Sequence, residues 1–300
     1  MAVPAISALG AGPARIDLSA HNDFDLPSRW RRGTAELDLW IPLGFLVVLV
    51  LACFVWPEVY SIPNPVKGNL SAPSISPLTA HHILGTDALG NDVLSRILYG
   101  GRVSLEVGIG STAIGTIVGG GLGAFAALKG GAIEATIMRI LEVFLAFPSL
   151  VLAIVVATYL GPSEIHVIWA ISFFTIPSHA RIARANTLRI RGQTFMAAAK
   201  LSGMSDGRCL IRHVAPNIFP QLLTLGLLGV GIAIIVEAAL SFLGLGVPPP
   251  GPSWGNMIAQ GQQNLTTAPD LVIIPSAFLF ATVLSLNLLG DALRVRWALQ

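Results

Sequence analysis

The sequence predicts an all-α, polytopic membrane protein with six transmembrane helices. Of its 300 residues, 53% are hydrophobic and only 11% are charged, and the mean hydropathy is +0.72. A soluble domain of this length would carry about 25% charged residues, so most of this surface must face something other than water. The apolar residues also concentrate in stretches of roughly 20, the length at which a helix crosses about 30 Å of hydrocarbon.

The first 38 residues are polar, and we expect them to form an irregular cytoplasmic tail. They contain no early apolar core, which argues against a cleaved signal peptide and favours an uncleaved first span. Arg29, Arg31 and Arg32 directly precede that span. Because basic residues are retained on the cytoplasmic side of a membrane, these arginines should hold the N-terminus there.

Six segments qualify as spans, at about 40–60, 103–128, 138–160, 165–183, 217–246 and 270–292. The fourth is the weakest, since Pro177 and Ser178 interrupt it and Arg181 closes it. The predicted divisions of the chain are the tail 1–38, a region 39–102 with the first span, an outer loop and an interfacial helix, a five-helix core 103–292, and a cytoplasmic C-terminus 293–300.

A basic loop at 181–216 within the core sets the expected orientation. It holds seven cationic residues: Arg181, Arg184, Arg189, Arg191, Lys200, Arg208 and Arg212. Cytoplasmic loops carry an excess of Lys and Arg, so this loop and both termini are predicted to be cytoplasmic. Of the 18 Lys and Arg residues, only Lys67, Arg96 and Arg102 then lie at the outer side.

Small residues recur every four positions in the second span: Ser111, Gly115, Gly119, Gly123 and Ala127. Residues at this spacing share one helix face, and a small-residue ridge lets another helix approach closely in lipid. The fifth span carries a comparable stripe at Gly229, Ala233, Glu237 and Ser241. Both helices are therefore predicted to pack in a tight bundle, either within this subunit or against a second one.

The sequence contains no motif for catalysis, nucleotide binding or metal binding. It has no phosphate-binding loop G-x-x-x-x-G-K-S/T, no G-x-S-x-G, no H-E-x-x-H and no CxxC. Cys53 and Cys209 would lie far apart, and the adjacent His81 and His82 are expected in an exposed loop. We expect a non-catalytic chain without a cofactor, metal or nucleic-acid partner, so any ATP would have to be bound by another polypeptide.

The basic loop contains Ala197-Ala198-Ala199-x-x-x-Gly203, followed by Pro216. This segment resembles the cytoplasmic signature of binding-protein-dependent ABC import permeases, E-A-A-x-x-x-G, nine variable residues and I-x-L-P. The chain departs from the signature at Ala197, where glutamate is usual, and at His213 and Ala215. The resemblance implies a short helix that docks on an ATPase, with these coupling residues: Ala197, Ala198, Ala199, Gly203, Asp206 and Pro216. Gly203 would allow a sharp turn, and Pro216 would end the following helix.

A second motif precedes the second span: Gly85-Thr86-Asp87-x-x-Gly90-Asn91-Asp92-x-x-Ser95-Arg96, within a matched segment that runs from His82 to Gly100-x-Arg102-x-Ser104-Leu105. It resembles the same segment of the C-type subunit in the dipeptide, oligopeptide and nickel permease family, with Asn91 in place of the usual arginine. Three further matches to that family are Ala146-Phe147-Pro148, the run from Glu237 to Gly246, and Pro252-Ser253-Trp254-Gly255. Together these matches cover the chain from about residue 40 to its end.

Alternatives stay open for the polar residues of these motifs. The outer motif either contacts a substrate-binding protein or the partner permease, or forms only a turn and a helix cap. Its Asp92 and Arg96 are spaced for an i,i+4 ion pair on the interfacial helix. Glu237 is a carboxylate in an apolar span, which makes it a candidate for the translocation pathway. A structural hydrogen bond at a helix break, or a position near the outer interface, would also explain it.

The resemblance implies the type I ABC importer permease fold and a place in the bacterial inner membrane. A homologous B-type permease would form the other half of the pathway, two ATP-binding subunits would bind ATP and Mg²⁺, and an extracytoplasmic binding protein would deliver substrate. Di- and oligopeptides are the expected substrates, with nickel or another small solute as the alternative. A self-sufficient secondary carrier is the competing class, but carriers usually show internal repeats and would not need the alanine–glycine loop.

Overall fold

The computed structural model describes residues 28–60, 62–79 and 82–298. Within these ranges the chain is helical and contains no β-strand, as predicted. The helices are α1 (Ser28–Val50, continued by Leu51–Val55 and Trp56–Val59), α2 (Val93–Lys129), α3 (Gly131–Leu145), α4 (Ser149–Leu160), α5 (Glu164–Arg191), α6 (Thr194–Leu201), α7 (Asp206–Phe242), α8 (Trp254–Gly261) and α9 (Asp270–Ala298). The expectations for 1–27, His81 and 299–300 lie outside the described residues.

In the part of the chain that the structure describes, four helices are long and apolar enough to cross a membrane: α1 from Leu39 onward, α2, α7 and α9. The pair α3 and α4 meets the same criterion only together, and it bends by 87° at the break between the two helices. Pro148 lies at this break, where it lacks a backbone N–H and disfavours helical geometry at Phe147. The predicted third span, 138–160, is therefore two parts of a bent pair and not one straight helix.

The predicted fourth span, 165–183, lies within α5, which has 28 residues. At 1.5 Å per residue α5 reaches about 42 Å, enough to cross a bilayer. It falls outside the hydropathy criterion because polar residues interrupt it, among them Ser172, Thr175 and His179. These three side chains are buried in the bundle, where α5 packs against α2, α3, α4 and α7. Polar groups are tolerated there because protein, and not lipid, surrounds them.

Four boundaries differ from the prediction. The first helix already begins at Ser28, so part of the expected irregular tail is helical. The second begins at Val93 and continues to Lys129, so no separate interfacial helix precedes the second span among the residues described there. The helix of the fifth span begins at Asp206, far earlier than predicted, and α9 continues to Ala298 into the expected C-terminal tail.

Pro216 consequently lies inside α7 and does not end a helix, contrary to the prediction. The π-helical turn Leu210–Val214 directly precedes Ala215 and Pro216. Proline has no N–H to donate, and a π-helical turn is one way in which a helix absorbs a locally lost hydrogen bond. The helix therefore passes through this position with a local change in its winding.

The small-residue ridge of α2 packs directly against the backbone of α5. A Cβ atom on Gly119 would lie 2.1 Å from the Ile176 carbonyl oxygen, and one on Gly123 would lie 2.0 Å from that of Ala180. No side chain fits at such distances, so the ridge prediction is confirmed, and its partner is a helix of the same chain. The α7 stripe is likewise buried at Ala233.

Candidate functional site

We define the elbow as residues 192–209, which run from the end of α5 through the first turn of α7. Its sharp turn depends on a glycine. α6 forms from strong helix formers, above all its three alanines; it ends at Leu201, and Gly203, two residues later, has a φ of +80°. The Gly203 N–H donates to the Lys200 carbonyl at 3.0 Å, and the Met204 N–H donates to the Ala199 carbonyl at 3.1 Å. This pair of bonds is a Schellman motif, which needs a left-handed residue after the helix. The predicted turn at Gly203 is confirmed.

The helix α6 has one buried face and one exposed face. Met196 and Ala199 are buried, whereas Ala197 and Ala198 are exposed. The buried face belongs to the elbow core, a cluster of Ala124, Leu128, Ala183, Met196, Ala199, Cys209, Val214, Ile218 and Leu222. Of the three predicted coupling alanines, Ala199 therefore packs against its own chain, while the other two are available to a partner.

Large apolar side chains accompany the exposed alanines. Leu201 is 88% exposed, Ile211 is 75% exposed, and Phe195 is 45% exposed. The Phe195 ring lies 5.9 Å from the ring of His213, between centroids, which links α6 to the first turns of α7. Exposed apolar groups on a well-anchored segment outside the apolar part of the bundle are typical of a protein-interaction surface.

Asp206, another predicted coupling residue, is directed toward its own chain. Its carboxylate lies 2.8 Å from the Lys129 ammonium at the end of α2 and 3.6 Å from that of Lys200. Asp206 thus braces the elbow and does not lie on the exposed α6 face.

The α1–α2 loop, residues 62–79 and 82–92, is folded by the glycines of the outer motif. Gly85 and Gly90 have φ values of +78° and +74°. Added Cβ atoms there would lie 2.2 Å from the Ile75 carbonyl oxygen and 2.0 Å from that of Asn69. The Thr86 hydroxyl donates to the Ala72 carbonyl at 2.7 Å and accepts from the Ile75 N–H at 2.9 Å. These residues hold two segments of the loop, 69–75 and 85–90, against each other.

The charged residues of the outer motif form a different set of pairs from the one predicted. Arg96 donates to Asp87 at 2.9 Å and to Gln260 in α8 at 2.9 Å. Asp92 caps α2 by accepting from the Ser95 N–H at 2.8 Å, and it contacts His82 Nδ1 at 2.8 Å. The predicted Asp92–Arg96 ion pair is therefore wrong, because the capping geometry turns the Asp92 carboxylate back toward the helix end.

The Ser95 hydroxyl completes the motif by donating to the Pro63 carbonyl. Every residue of the motif thus has a structural partner within the chain, which favours the turn-and-cap interpretation. A cavity of about 240 Å³ remains between this loop and α8, with Asp87, Arg96 and Gln260 among its lining residues.

Glu237 is completely buried within α7. Its carboxylate accepts hydrogen bonds from Ser241 at 2.7 Å and from Ser104 of α2 at 2.9 Å. Ser253 donates to Ser241 at 3.2 Å, and the Trp254 N–H donates to Ser104 at 3.4 Å. This network joins α7, α2 and the start of α8. Because the side chain has no exposed surface in this chain, the structure favours the structural hydrogen-bond interpretation over a pathway lining.

Sequence reasoning did not identify Ser104 as a partner of Glu237, Ser253 as a partner of Ser241, or Gln260 as a partner of Arg96. Ser104 and Ser253 do stand in family-like segments, but a serine there is also expected on packing grounds alone. No sequence pattern pairs residues separated by 133 positions, as Ser104 and Glu237 are. Among the described residues, no group of three or more His, Cys, Asp or Glu side chains could hold a metal ion.

Comparisons with known proteins identify relatives of this chain. The family model described as "Binding-protein-dependent transport system inner membrane component" matches residues 119–297. The chain is 38% identical over 267 residues to the glutathione transport system permease protein GsiD of Pectobacterium atrosepticum, with 88% of each chain covered. It is 36% identical over 281 residues to the dipeptide transport system permease protein DppC of Alkalihalophilus pseudofirmus, with 91% of this chain and 90% of that one covered.

A solved structure shares the fold. The methionine ABC transporter MetNI, in inward-facing conformations, matches with a TM-score of 0.53 at 16% identity. The match covers 68% of this chain and 96% of the other. At this identity the likeness concerns the fold alone.

Proposed function

Because the chain belongs to the family of binding-protein-dependent transport system inner membrane components, we propose that it is the C-type permease subunit of an ATP-driven importer of small peptides. Membership makes it a multi-pass inner-membrane protein and a non-catalytic permease component of an ABC importer. The partners, the substrate and the orientation are the parts that we propose.

The observation that carries the coupling proposal is the two-faced helix α6. Its buried face, Met196 and Ala199, fixes it to the bundle, while Ala197, Ala198 and Leu201 are exposed. Small residues let a partner surface approach the helix backbone closely, and the neighbouring Leu201 supplies apolar area. An ATPase subunit would dock on this apolar face. Such a contact would not need the glutamate that the family signature usually has at the position of Ala197.

The orientation follows from the same segment. If α6 meets an ATPase, the elbow is cytoplasmic, and the basic residues around it obey the positive-inside rule. The α1–α2 loop and α8 then face the outside, where a substrate-binding protein would deliver its cargo. ATP and Mg²⁺ would be bound by two partner ATPases, and a homologous B-type permease would complete the pathway.

The proposed cargo is a di- or oligopeptide. The named relatives transport dipeptides or glutathione, and glutathione is itself a small peptide. Nickel chelates and other small solutes are the alternative, and among the described residues no metal-ligating cluster favours them.

The proposal is tested by reconstituting the whole complex, with both permeases, both ATPases and the cognate binding protein, in liposomes. Uptake of labelled dipeptide, glutathione and chelated Ni²⁺ is compared with and without ATP. We expect ATP-dependent uptake of a peptide. Uptake of Ni²⁺ alone would contradict the peptide assignment, and peptide uptake independent of ATP would contradict the importer assignment.

A further inference from the structure

We propose that Arg191 and Asp206 are positioning residues that clamp the two flanks of α6 to the end of α2. This inference rests on the proposed docking of an ATPase at α6. The elbow is covalently joined to α5 and α7 only. The clamp would also fix the elbow to α2 through polar contacts. A displacement of the elbow would then move α2, which packs along α5 and contributes Ser104 to the Glu237 network.

The first half of the clamp precedes α6. Arg191, the last residue of α5, donates from Nη1 to the carbonyl oxygen of Ala127 at 2.9 Å. Ala127 lies in the last turn of α2, where carbonyl groups have no intrahelical partner. A guanidinium at this end satisfies an orphan acceptor and also complements the negative end of the helix dipole.

Gly130 keeps the space that Arg191 occupies. It follows the last residue of α2 with φ of +71°, and a Cβ atom there would lie 2.9 Å from Arg191 Nη1. The turn after α2 is therefore shaped both for a left-handed residue and for a close guanidinium.

The second half of the clamp follows α6. Asp206, the first residue of α7, pairs with Lys129 of α2 at 2.8 Å, and Lys200 of α6 lies 3.6 Å from the same carboxylate. A partly exposed pair of this kind contributes little stability by itself. Here it acts beside the elbow core, in which Leu128 of α2 is buried together with Met196 and Cys209 of the elbow.

Both flanks of α6 thus meet one short segment, residues 127–130. Two contacts on opposite sides of a docking helix resist its tilting relative to α2 as well as its translation. A force applied at α6 would then reach α2 directly, and α2 carries Ser104, the hydrogen-bond partner of Glu237.

The test uses the complete reconstituted complex and four variants: Arg191→Met, Arg191→Lys, Asp206→Asn and the charge exchange Lys129→Asp with Asp206→Lys. Arg189→Met is the matched control, since Arg189 is exposed on the same helix end and makes no ion pair or side-chain hydrogen bond in the described part of the chain. For each complex we measure ATPase co-purification, melting temperature, ATP hydrolysis and peptide imported per ATP.

We expect Arg191→Met and Asp206→Asn to keep the ATPases bound and to hydrolyse ATP, while the peptide imported per ATP falls about fivefold or more, the lower range of allosteric coupling. Arg191→Lys and the charge exchange should recover most of that ratio, because a lysine ammonium can donate to the Ala127 carbonyl and the exchange restores the ion pair between positions 129 and 206. A general loss of stability would instead lower all four measurements together.

An unchanged peptide-to-ATP ratio in both single variants would overturn the clamp and would mean that the glycine ridge and the elbow core suffice to move α2. The same conclusion follows if the ratio falls equally in Arg189→Met. If the wild-type chain neither binds ATPases nor imports peptide with ATP, the proposed function itself fails, which is a different result.

Discussion

Replacing Glu237 distinguishes between two roles of its carboxylate, a structural one and the lining of a pathway. Glutamine preserves the shape of the side chain and can still accept from one serine hydroxyl while its amide donates to the other. Leucine preserves the apolar character of α7 but accepts from neither. The hydroxyls of Ser104 and Ser241, which both donate to Glu237 in a buried site, would then lose their acceptor.

The magnitude follows from the number of buried groups left unpaired. Each buried polar group without a partner costs about 1–3 kcal/mol, so two hydroxyls amount to roughly 2–6 kcal/mol. Glutamine exchanges a carboxylate acceptor for an amide at a cost of about 1 kcal/mol. We therefore expect the Glu237→Leu protein to melt far below the wild type and Glu237→Gln to melt close to it.

The assay is the fraction of detergent-solubilised complex that survives a temperature series, read by size exclusion, followed by peptide uptake in liposomes. Glu142→Leu is the matched control, since Glu142 is exposed on α3 and surface substitutions change stability by only about 0.5 kcal/mol. Uptake should persist in Glu237→Gln. A Glu237→Leu protein as stable as wild type, or a stable Glu237→Gln protein that imports no peptide, would refute the structural role.

Three further predictions follow from the backbone. Gly123→Ala should lower the stability of the protein by about 1–3 kcal/mol, because the added Cβ would lie 2.0 Å from a carbonyl oxygen of α5. Gly121→Ala, where the Cβ enters open space, is the control. Equal melting temperatures of the two variants would contradict the expectation. Gly203→Val should abolish ATPase co-purification without loss of membrane insertion, since a β-branched residue disfavours positive φ, whereas Gly203→Asn should retain it; equal co-purification in both would be inconsistent with the elbow geometry. Thr86→Val should make the α1–α2 loop more susceptible to limited proteolysis, because two hydrogen bonds at 2.7 and 2.9 Å are lost, and an unchanged cleavage rate would count against it.

The fold was predictable where the signal lies within one helix. Hydropathy located the long spans, and four-residue spacing located the ridge of α2, because both depend only on the period of a helix and the chemistry of lipid. The role of Gly203 was predictable for a similar reason: a helix commonly ends in a left-handed residue, and that residue is usually glycine.

The remainder was not predictable because it depends on contacts between distant segments. The sequence does not say that Arg96 reaches Asp87 and Gln260 instead of Asp92, since that choice follows from the cap at the start of α2. Pro216 is a similar case: proline usually ends a helix, but here a π-helical turn accommodates it. Hydropathy alone does not mark α5 as a span, because it counts against the helix the polar side chains that neighbouring helices bury.

Coupling of ATPases to transport through α6 is tested most directly by peptide uptake into liposomes that contain both permeases and the binding protein, with and without the two ATPases. Wild-type permease is compared with Ala198→Trp, in which a bulky group stands on the exposed face of α6. We predict ATP-driven uptake only when the wild-type chain and the ATPases are both present, and loss of ATPase co-purification in Ala198→Trp although the variant still inserts. Uptake without any ATPase, or normal ATP-driven uptake by Ala198→Trp, would contradict ATPase docking on α6.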